Sequence, residues 1–191
     1  MPQSLTDALT RLLAHPPGNE RLPRAHWPTT AAVLIPVLWK EPECSVVMTR
    51  RTHSLRQHAG EICLPGGKMD AHDQGSVIRA SLREAEEELG LSAGGVLVGA
   101  CLPKLETSSG LVVHPVVGLI DRPPIWKLQP AEVSEVLEIP LALFMDLDNY
   151  RREVRRYRGR LKESLIVDFG NAQVWGLTAR ILFALRRELY S

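Results

Sequence analysis

One predicted helix limits the folds open to this chain, because its faces differ sharply in polarity. Between residues 76 and 89 the apolar side chains recur at spacings of 4, 3 and 4, at Ile78, Leu82, Ala85 and Leu89. At about 100° per residue these positions form one stripe, the pattern of a helix that packs against a core. Gly90 follows and is well suited to end such a helix. The sequence therefore predicts a docked helix whose other faces have fixed directions.

Three carboxylates lie on a different face of this helix. Residues 83–91 read Arg-Glu-Ala-Glu-Glu-Glu-Leu-Gly-Leu, which groups Glu84, Glu87 and Glu88 away from the apolar stripe. Like charges three or four residues apart cost about 0.2–0.5 kcal/mol per pair. Mg²⁺ takes oxygen ligands, keeps water for a phosphate substrate and would offset this cost. A solvated acidic surface is the alternative, but the docked helix and the upstream Gly66-Gly67 turn, where backbone can approach closely, favour a metal site.

Residues 83–91, with the upstream Gly-Gly pair, resemble the second half of the Nudix box of the Nudix hydrolases, Arg-Glu-x-x-Glu-Glu-x-Gly. The first half departs from that pattern. Gly75 stands where the box has a Glu, and Gly67 lies two residues farther from the Arg than usual. Asp70 and Asp73 in this lengthened loop are candidates to replace the Glu in part. The resemblance implies an α/β fold, the Nudix-type αβα sandwich with a mixed sheet.

A second stretch narrows the resemblance. Residues 48–67 read MTRRTHSLRQHAGEICLPGG. This is similar to the coenzyme A pyrophosphatase branch, whose pattern reads Leu-Thr-x-Arg-Ser/Ala, three residues, Arg-x-His-x-Gly, then Phe/Leu-Pro-Gly-Gly; Thr52 stands where Ser or Ala is usual. The resemblance covers roughly residues 30–185. It implies metal-dependent hydrolysis of the diphosphate bond of coenzyme A or its derivatives to adenosine 3′,5′-bisphosphate and 4′-phosphopantetheine.

The resemblance also assigns roles to individual residues. The ligands of a Mg²⁺ or Mn²⁺ ion would be Glu84, Glu87, Glu88 and the Gly67 carbonyl. Arg83 would orient a glutamate through a bidentate pair, with a purely structural ion pair as the alternative. Glu132 is the candidate general base and Glu135 a weaker one; the alternative for Glu132 is a loop carboxylate at the start of a strand.

Basic residues that suit phosphate groups occur in two places. The candidates near the signature are Arg51, Arg56, His58 and Lys68; the first three are pattern positions, and Lys68 follows the glycines. The alternative for Arg56 and His58 is that they only brace their loop. The second place is a predicted basic hairpin containing Arg151, Arg152, Arg155, Arg156, Arg158 and Arg160. It could hold a 3′-phosphate or an acidic partner, and a solvated basic surface is its default interpretation.

Composition excludes several classes of protein. The chain of 191 residues is 45% hydrophobic, as expected of one globular domain over residues 1–191, with a helix and irregular extension at 1–28 and the box at about 66–91. A net charge of +1 argues against a nucleic-acid binder. The longest apolar run, 31–39, is too short to span a bilayer and predicts no membrane partner. Three cysteines without Cys-x-x-Cys spacing fit the cytoplasm.

The hydrophobic patterns predict an order of elements and leave two other functions open. The expected elements are a helix at 4–14, strands at Ala32–Leu38 and Ser45–Arg50, a strand leading into Pro65, strands at Val96–Leu102 and Val112–Ile120, a loop marked by the prolines at 123, 124 and 130, a short helix at Pro140–Met145, a hairpin at Tyr150–Arg160 and Leu165–Phe169, and a helix at Thr178–Leu189. The substrate could be another nucleoside diphosphate such as ADP-ribose, or the chain could be a non-catalytic ligand sensor. Either a monomer or a homodimer is compatible with these patterns.

Overall fold

The computed structural model describes residues 4–14, 16–18, 21–40, 43–122, 124–157 and 159–190. The described helices are α1 (Leu5–Leu13), α2 (Val77–Leu89), α3 (Leu141–Met145) and α4 (Gly176–Leu189). The described strands are β1 (Thr30–Lys40), β2 (Glu43–Arg51), β3 (Ile62–Cys63), β4 (Gly66–Lys68), β5 (Leu97–Cys101), β6 (Leu105–Glu106), β7 (Val112–Ile120), β8 (Val133–Pro140), β9 (Tyr150–Tyr157), β10 (Arg160–Phe169) and β11 (Ala172–Trp175). Short 3₁₀ turns lie at Arg24–Thr29, Ala71–Asp73, Ala93–Gly95 and Leu147–Asn149.

The strands form two sheets. The larger sheet has eight strands with the main order β3-β2-β1-β7-β5, while β4 pairs with β1, β6 with β7 and β8 with β2. β1 runs parallel to β7 and antiparallel to β2 and β4, so this sheet is mixed. The smaller sheet is the antiparallel order β11-β10-β9. A mixed sheet flanked by helices confirms the predicted α/β class.

The central strand β1 is buried on both faces, which places the large sheet between two helical layers. Leu34 and Leu38 pack in one cluster with Ala85 and Leu89 of α2. On the opposite face Ile35 belongs to a larger cluster that includes residues of the other helices, among them Leu9 of α1, Phe144 of α3 and Leu182 of α4. Successive strand residues point to opposite faces, so one apolar strand can serve both layers. This is the αβα sandwich expected from the sequence.

Helix α2 follows its sequence pattern closely. Ala85 and Leu89 are fully buried, and Ile78 and Leu82 pack against the same cluster, which confirms the predicted apolar stripe. The Ser76 hydroxyl caps the helix by accepting a hydrogen bond from the Arg79 N–H. Gly90 ends the helix, as predicted. Both ends of the helix that bears the acidic run are thus defined locally.

Helix α4 was also anticipated from its apolar spacing. Its predicted inward residues, Ile181, Leu182, Leu185 and Leu189, are all buried. It extends over 14 residues and begins two residues before the predicted start. None of the described helices is both long and apolar enough to cross a lipid bilayer.

Four of the described strands, β4, β6, β8 and β11, were not predicted, and β8 and β11 show why. β8 pairs with β2, and the register of that pair shifts between Arg50 and Arg51. The exposed and buried residues of β8 therefore do not alternate regularly, so its sequence lacks the period of two that identifies a strand. β11 is only four residues long and is defined by its pairing with β10 rather than by its own pattern.

The loop between β4 and α2 packs against the N-terminal extension. The Leu22 N–H donates to the Gly75 carbonyl at 2.8 Å, and the Trp27 Nε1–H donates to the Leu22 carbonyl at 3.0 Å. Gly75 has a φ of +81°, and a Cβ at this position would lie 2.6 Å from the Leu22 oxygen. Only glycine fits here without strain. This packing explains why the position that carries Glu in the resembling pattern carries Gly in this chain.

We therefore expect that replacing Gly75 by the Glu of the Nudix box destabilises the protein. Gly75→Glu should lower the free energy of unfolding by about 2 kcal/mol, because it combines a strained φ with a clash. Urea denaturation followed by circular dichroism measures the change. Gly95→Glu is the matched control, because nothing lies within 4 Å of a Cβ there, and it should stay within about 0.5 kcal/mol of wild type. Equal stability of the two variants would contradict the explanation.

Candidate active site

Strand β4 and helix α2 bring backbone and carboxylate into contact. Gly67 pairs with Ala32 of β1, while α2 packs across the same strand. A Cβ on Gly67 would lie 2.4 Å from the carboxyl carbon of Glu84. Only a residue without a side chain allows this approach, so Glu84 lies directly against the β4 backbone.

Glu88 is the buried member of the acidic run. The residue is only 4% exposed, the Gly66 N–H donates a hydrogen bond to its carboxylate, and Oε2 has no partner among the described residues. Burial raises the pKa of Glu88 to about 8, with a further contribution from the Glu84 carboxylate. A buried carboxylate oxygen without a hydrogen bond is costly, and a bound cation would satisfy it.

Arg83 contacts the other two acids of the run. Its Nη1 lies 2.9 Å from Glu84 Oε1 and 3.1 Å from Glu87 Oε2. Glu84 is mostly shielded from solvent, whereas the Glu87 side chain is 59% exposed. Burial raises the pKa of Glu84, and the Arg83 charge partly offsets that rise. The three acids therefore have three different environments, although they belong to one helix.

The bidentate pair of Arg83 involves a different acid from the one predicted. Asp73 Oδ1 accepts from Nε at 3.0 Å, and Asp73 Oδ2 accepts from Nη2 at 3.1 Å. Asp73 is 1% exposed and lies two residues before Gly75. The expectation of a bidentate pair with a glutamate was wrong, because both glutamates share the single Nη1 group while the planar fork faces Asp73.

The donor set fits a hard divalent ion, although the side chains are not arranged around one point. No three Asp, Glu, His or Cys side chains of the described ranges are close enough together to hold a metal as they stand. Glu84 and Glu87 instead share an ion pair with Arg83 Nη1. The unpartnered Glu88 Oε2 and the bare backbone at Gly67 remain beside Glu84. An all-oxygen set of this kind suits Mg²⁺ or Mn²⁺.

Arg51 is the basic signature residue that lies near the acids. The loop after it is closed by two backbone hydrogen bonds, from the Arg51 N–H to the Glu61 carbonyl at 3.0 Å and from the Gly60 N–H to the Arg51 carbonyl at 3.1 Å. Its Nε is buried and has no hydrogen-bond partner among the described residues. Its charge partly offsets the raised pKa of Glu88, whose main cause is burial. A cation with an unused donor thus lies beside the buried acid.

The other three basic candidates are more exposed. Arg56 lies on the exposed middle of the signature loop. His58 has a φ of +58° and its Nδ1 lies 2.9 Å from Glu61 Oε2, so it braces the loop. The Lys68 side chain is exposed, while its backbone carbonyl accepts from Arg83 Nη2 at 3.1 Å. The described contacts therefore link Arg51 to the acids and leave Arg56 and Lys68 facing solvent.

The loop between β7 and β8 positions Glu132, and its prolines had predicted a loop here but not its contacts. The Lys127 and Gln129 N–H groups donate to the last carbonyls of α2, those of Leu89 and Glu88, at 2.9 and 3.0 Å. The Glu132 carbonyl in turn accepts from the Thr52 N–H at 2.9 Å. Burial is the main cause of the raised pKa of Glu84 and of Glu88, and the charge of the Glu132 carboxylate makes a smaller contribution to both. These contacts depend on tertiary packing, and no local sequence signal marks them.

The weaker candidate base has a different partner. Arg50 Nε donates to Glu135 Oε2 at 2.7 Å on the exposed surface of β8. Glu135 is therefore engaged in an ion pair with the neighbouring strand, whereas Glu132 precedes β8 at the end closest to the acidic run.

The C-terminal region approaches the site through Cys63. The Thr178 side chain at the start of α4 hydrogen-bonds to the Cys63 thiol in β3. Burial, followed by the Glu61 charge, raises the pKa of this thiol to about 12. A thiol that stays protonated at neutral pH packs as a small apolar group. The sequence patterns predicted the α4 helix but not its proximity to the signature loop.

The predicted basic hairpin is formed by β9 and β10, although Arg160 begins the second strand and does not end the first, and its charge is largely compensated by neighbouring acids. Arg151 forms a two-pronged pair with Asp168, and Arg152 pairs with Glu163 at 2.9 Å. Arg155 pairs with Glu153 and lies over the Trp175 ring. Arg158 and the side chain of Arg160 lie outside the described residues. These pairs, two across the strands and one within β9, favour the interpretation as a solvated surface over a phosphate site.

Comparisons with known proteins identify the family to which the chain is similar. The family model described as NUDIX domain matches residues 28–157. A Photorhabdus laumondii protein named uncharacterized Nudix hydrolase NudL is 37% identical over 189 residues, covering 97% of this chain and 98% of that protein. The structure of a MutT/nudix family protein from Enterococcus faecalis has a TM-score of 0.52 and 14% identity, covering 97% of this chain and 69% of that one. A C. elegans Ap4A hydrolase structure has a TM-score of 0.50 and 18% identity, covering 59% of this chain and 80% of that one.

These structural likenesses share little sequence and show the fold alone. The family match extends over well more than half of the chain, and the Photorhabdus relative is similar along nearly its whole length. On these grounds the chain belongs to the Nudix hydrolase family and is an enzyme of that family.

Proposed function

We propose that this Nudix hydrolase cleaves the diphosphate bond of coenzyme A or its derivatives, releasing adenosine 3′,5′-bisphosphate and 4′-phosphopantetheine. The observation that carries the proposal is Arg51, a signature residue whose buried Nε has no hydrogen-bond partner among the described residues and whose charge lowers the pKa of the buried Glu88. An arginine with an unused donor beside metal-type carboxylates suits a phosphate oxygen. The charge interaction of Arg51 with Glu88, between the stretch that resembles the coenzyme A signature and the acidic run, supports the proposal.

The acidic run is the part of the site that we assign to a metal. Nudix hydrolases generally use divalent ions such as Mg²⁺ or Mn²⁺. The ligands we assign are Glu84, Glu87, Glu88 and the Gly67 carbonyl. When bound, such an ion supplies charge neutralisation of the diphosphate oxygens and a fixed water molecule. The unpartnered Glu88 Oε2 and the contact of Glu84 with Gly67 support this assignment.

Protein groups then perform the remaining steps. Arg51 binds a diphosphate oxygen and holds the phosphorus near the carboxylates. Glu132 takes a proton from the attacking water while the oxygen of that water bonds to one phosphorus atom. The bond from this phosphorus to the bridging oxygen breaks, and the bridging oxygen leaves with the other phosphate. The Thr52 N–H donates a hydrogen bond to the Glu132 carbonyl, which fixes the backbone from which the Glu132 carboxylate extends.

The signature loop provides the contacts that we assign to the rest of the substrate. Coenzyme A differs from most nucleoside diphosphates in its ribose 3′-phosphate. Arg56 and Lys68 are exposed, and His58 lies on the same loop as Arg56, so these groups can meet an anionic ligand that arrives from solvent. We assign the 3′-phosphate to Arg56, because a guanidinium binds phosphate in a two-pronged manner.

The substrate assignment predicts a preference that depends on Arg56. Mass spectrometry should detect adenosine 3′,5′-bisphosphate and 4′-phosphopantetheine after incubation of coenzyme A with Mg²⁺ or Mn²⁺. Arg56→Gln should lower kcat/KM for coenzyme A about tenfold and leave the 3′-dephospho form almost unaffected, since one charged hydrogen bond contributes about 1.5 kcal/mol. Arg187→Gln, an exposed arginine near the end of α4, is the control. Cleavage of ADP-ribose with coenzyme A left intact would show that the substrate assignment is wrong.

The metal assignment predicts which acids of the run bind Mn²⁺. Glu84→Gln and Glu88→Gln should each weaken Mn²⁺ binding about tenfold or more, as measured by electron paramagnetic resonance of unbound Mn²⁺, because each removes a charged ligand. Glu86→Gln is the matched control, since Glu86 is exposed on the same helix and has no assigned role. An equal loss in all three variants would indicate a general charge effect instead of specific ligands.

The general-base assignment predicts a separation of kinetic constants. Glu132→Gln should lower kcat about a hundredfold while KM and Mn²⁺ binding change little, because the group accepts a proton but binds neither ligand. Glu135→Gln should keep wild-type kcat, since Glu135 is occupied by Arg50. The role would pass to another group if Glu132→Gln retained most of the wild-type kcat.

A further inference from the structure

We propose that Asp73 is a positioning residue that keeps Arg83 from competing with a divalent ion for the glutamates of the acidic run. This inference rests on the proposed function, because it takes Glu84 and Glu87 as metal ligands. It concerns an acid that lies outside the ligand set and acts only through Arg83.

Asp73 is held rigidly in the interior. The residue is 1% exposed and ends the short 3₁₀ turn at Ala71–Asp73. Its carboxylate accepts three hydrogen bonds, from Arg83 Nε and Nη2 at 3.0 and 3.1 Å and from the Asp70 N–H at 2.7 Å. A buried carboxylate with three such donors has little freedom to move. Its hydrogen bonds also raise the pKa of Arg83 above the ordinary arginine value.

The five N–H donors of Arg83 divide into two groups. Nε and Nη2 face fixed acceptors, the Asp73 carboxylate and the Lys68 carbonyl. Nη1 faces Glu84 at 2.9 Å and Glu87 at 3.1 Å. The guanidinium is therefore anchored on the Asp73 side, and its contacts with the glutamates come from one nitrogen only.

This division determines how readily the glutamates can turn toward a cation. To bind an ion, Glu84 and Glu87 must give up contacts with Nη1. With Asp73 present, the guanidinium keeps a full charge partner when they leave. Without the Asp73 charge, Glu84 and Glu87 would be the acids that remain among these contacts of Arg83. The guanidinium would then keep its ion pairs with them, and they would be less available to a cation. Asp73 thus lowers the cost of releasing the ligands.

The N-terminal extension supports this arrangement. Leu22 hydrogen-bonds to the Gly75 carbonyl, and Leu22 and Trp27 pack with Val77 and Ala80 at the start of α2. Both Leu22 and Trp27 precede the region matched by the family model. Because this packing requires glycine at position 75, the acid that pairs with Arg83 comes from Asp73, two residues earlier.

The experiment compares Mn²⁺ binding by wild type, Asp73→Asn and Asp70→Asn, using electron paramagnetic resonance. Asp73→Asn should weaken binding about ten- to a hundredfold, the usual effect of removing a group that orients a metal ligand. Asp70→Asn removes the same charge from an exposed residue of the same loop and should change binding less than about twofold. The Mn²⁺ concentration for half-maximal activity should rise with the dissociation constant, whereas kcat at saturating Mn²⁺ should stay near that of wild type.

A double variant separates the action of Asp73 through Arg83 from a direct charge effect. Asp73→Asn combined with Arg83→Gln leaves neither charge unpaired inside the protein, and it should bind Mn²⁺ at least as tightly as wild type. A tenfold loss in this variant would overturn the inference, because Asp73 would then act by its own charge. The double variant also serves if Asp73→Asn alone does not fold, which thermal unfolding will reveal.

The glutamate variants distinguish the failure of this inference from that of the proposed function. If Glu84→Gln and Glu88→Gln weaken Mn²⁺ binding but Asp73→Asn behaves like Asp70→Asn, the inference fails and the metal site stands. If wild type binds no Mn²⁺, or the glutamate variants bind it normally, both are overturned.

Discussion

The packing of α2 against the central strand is the contact on which the rest of the site depends. Leu34 and Leu38 of β1 share a buried cluster with Ala85 and Leu89 of α2. This contact fixes the rotation of the helix about its axis, and the acids between the apolar positions acquire their directions from it. The same strand pairs with β4, so the backbone at Gly67 meets the carboxyl group of Glu84, which would have to move if residue 67 had a side chain.

The glutamates of α2 concentrate negative charge at the site, and nearby arginines offset part of that charge. Burial raises the pKa of both Glu84 and Glu88, because their charged forms lose contact with water, so a bound cation would favour the ionised carboxylates. Arg83 and Arg51 offset part of this cost, one from the same helix and the other from β2. Asp73 neutralises the side of Arg83 that faces away from the glutamates. A divalent ion would neutralise the part of the glutamate charge that the arginines do not offset.

Much of the fold could be predicted from periodicity, because the strongest elements are buried by one face or by both. The apolar stripe of α2, the inward face of α4 and strand β7 agree with their patterns. β8 and β11 could not be predicted in this way. A bulge in the pairing with β2 disrupts the alternation of β8, and β11 is too short to carry a pattern. Such short or bulged strands form because they pair with other strands and not because of their own sequence pattern.

By itself, the sequence determined the helix with the acidic run, the residues at its two ends, and the glycine pair that precedes it and allows close approach of the backbone. These properties are local, since they depend on residues within a few positions of one another. Tertiary structure decided which acid pairs with Arg83, how near Arg51 and Glu132 lie to Glu88, and how far the arginines of the hairpin are compensated. Such pairings join residues from separate strands and loops, and their energies depend on burial and distance, which exist only once the chain is folded.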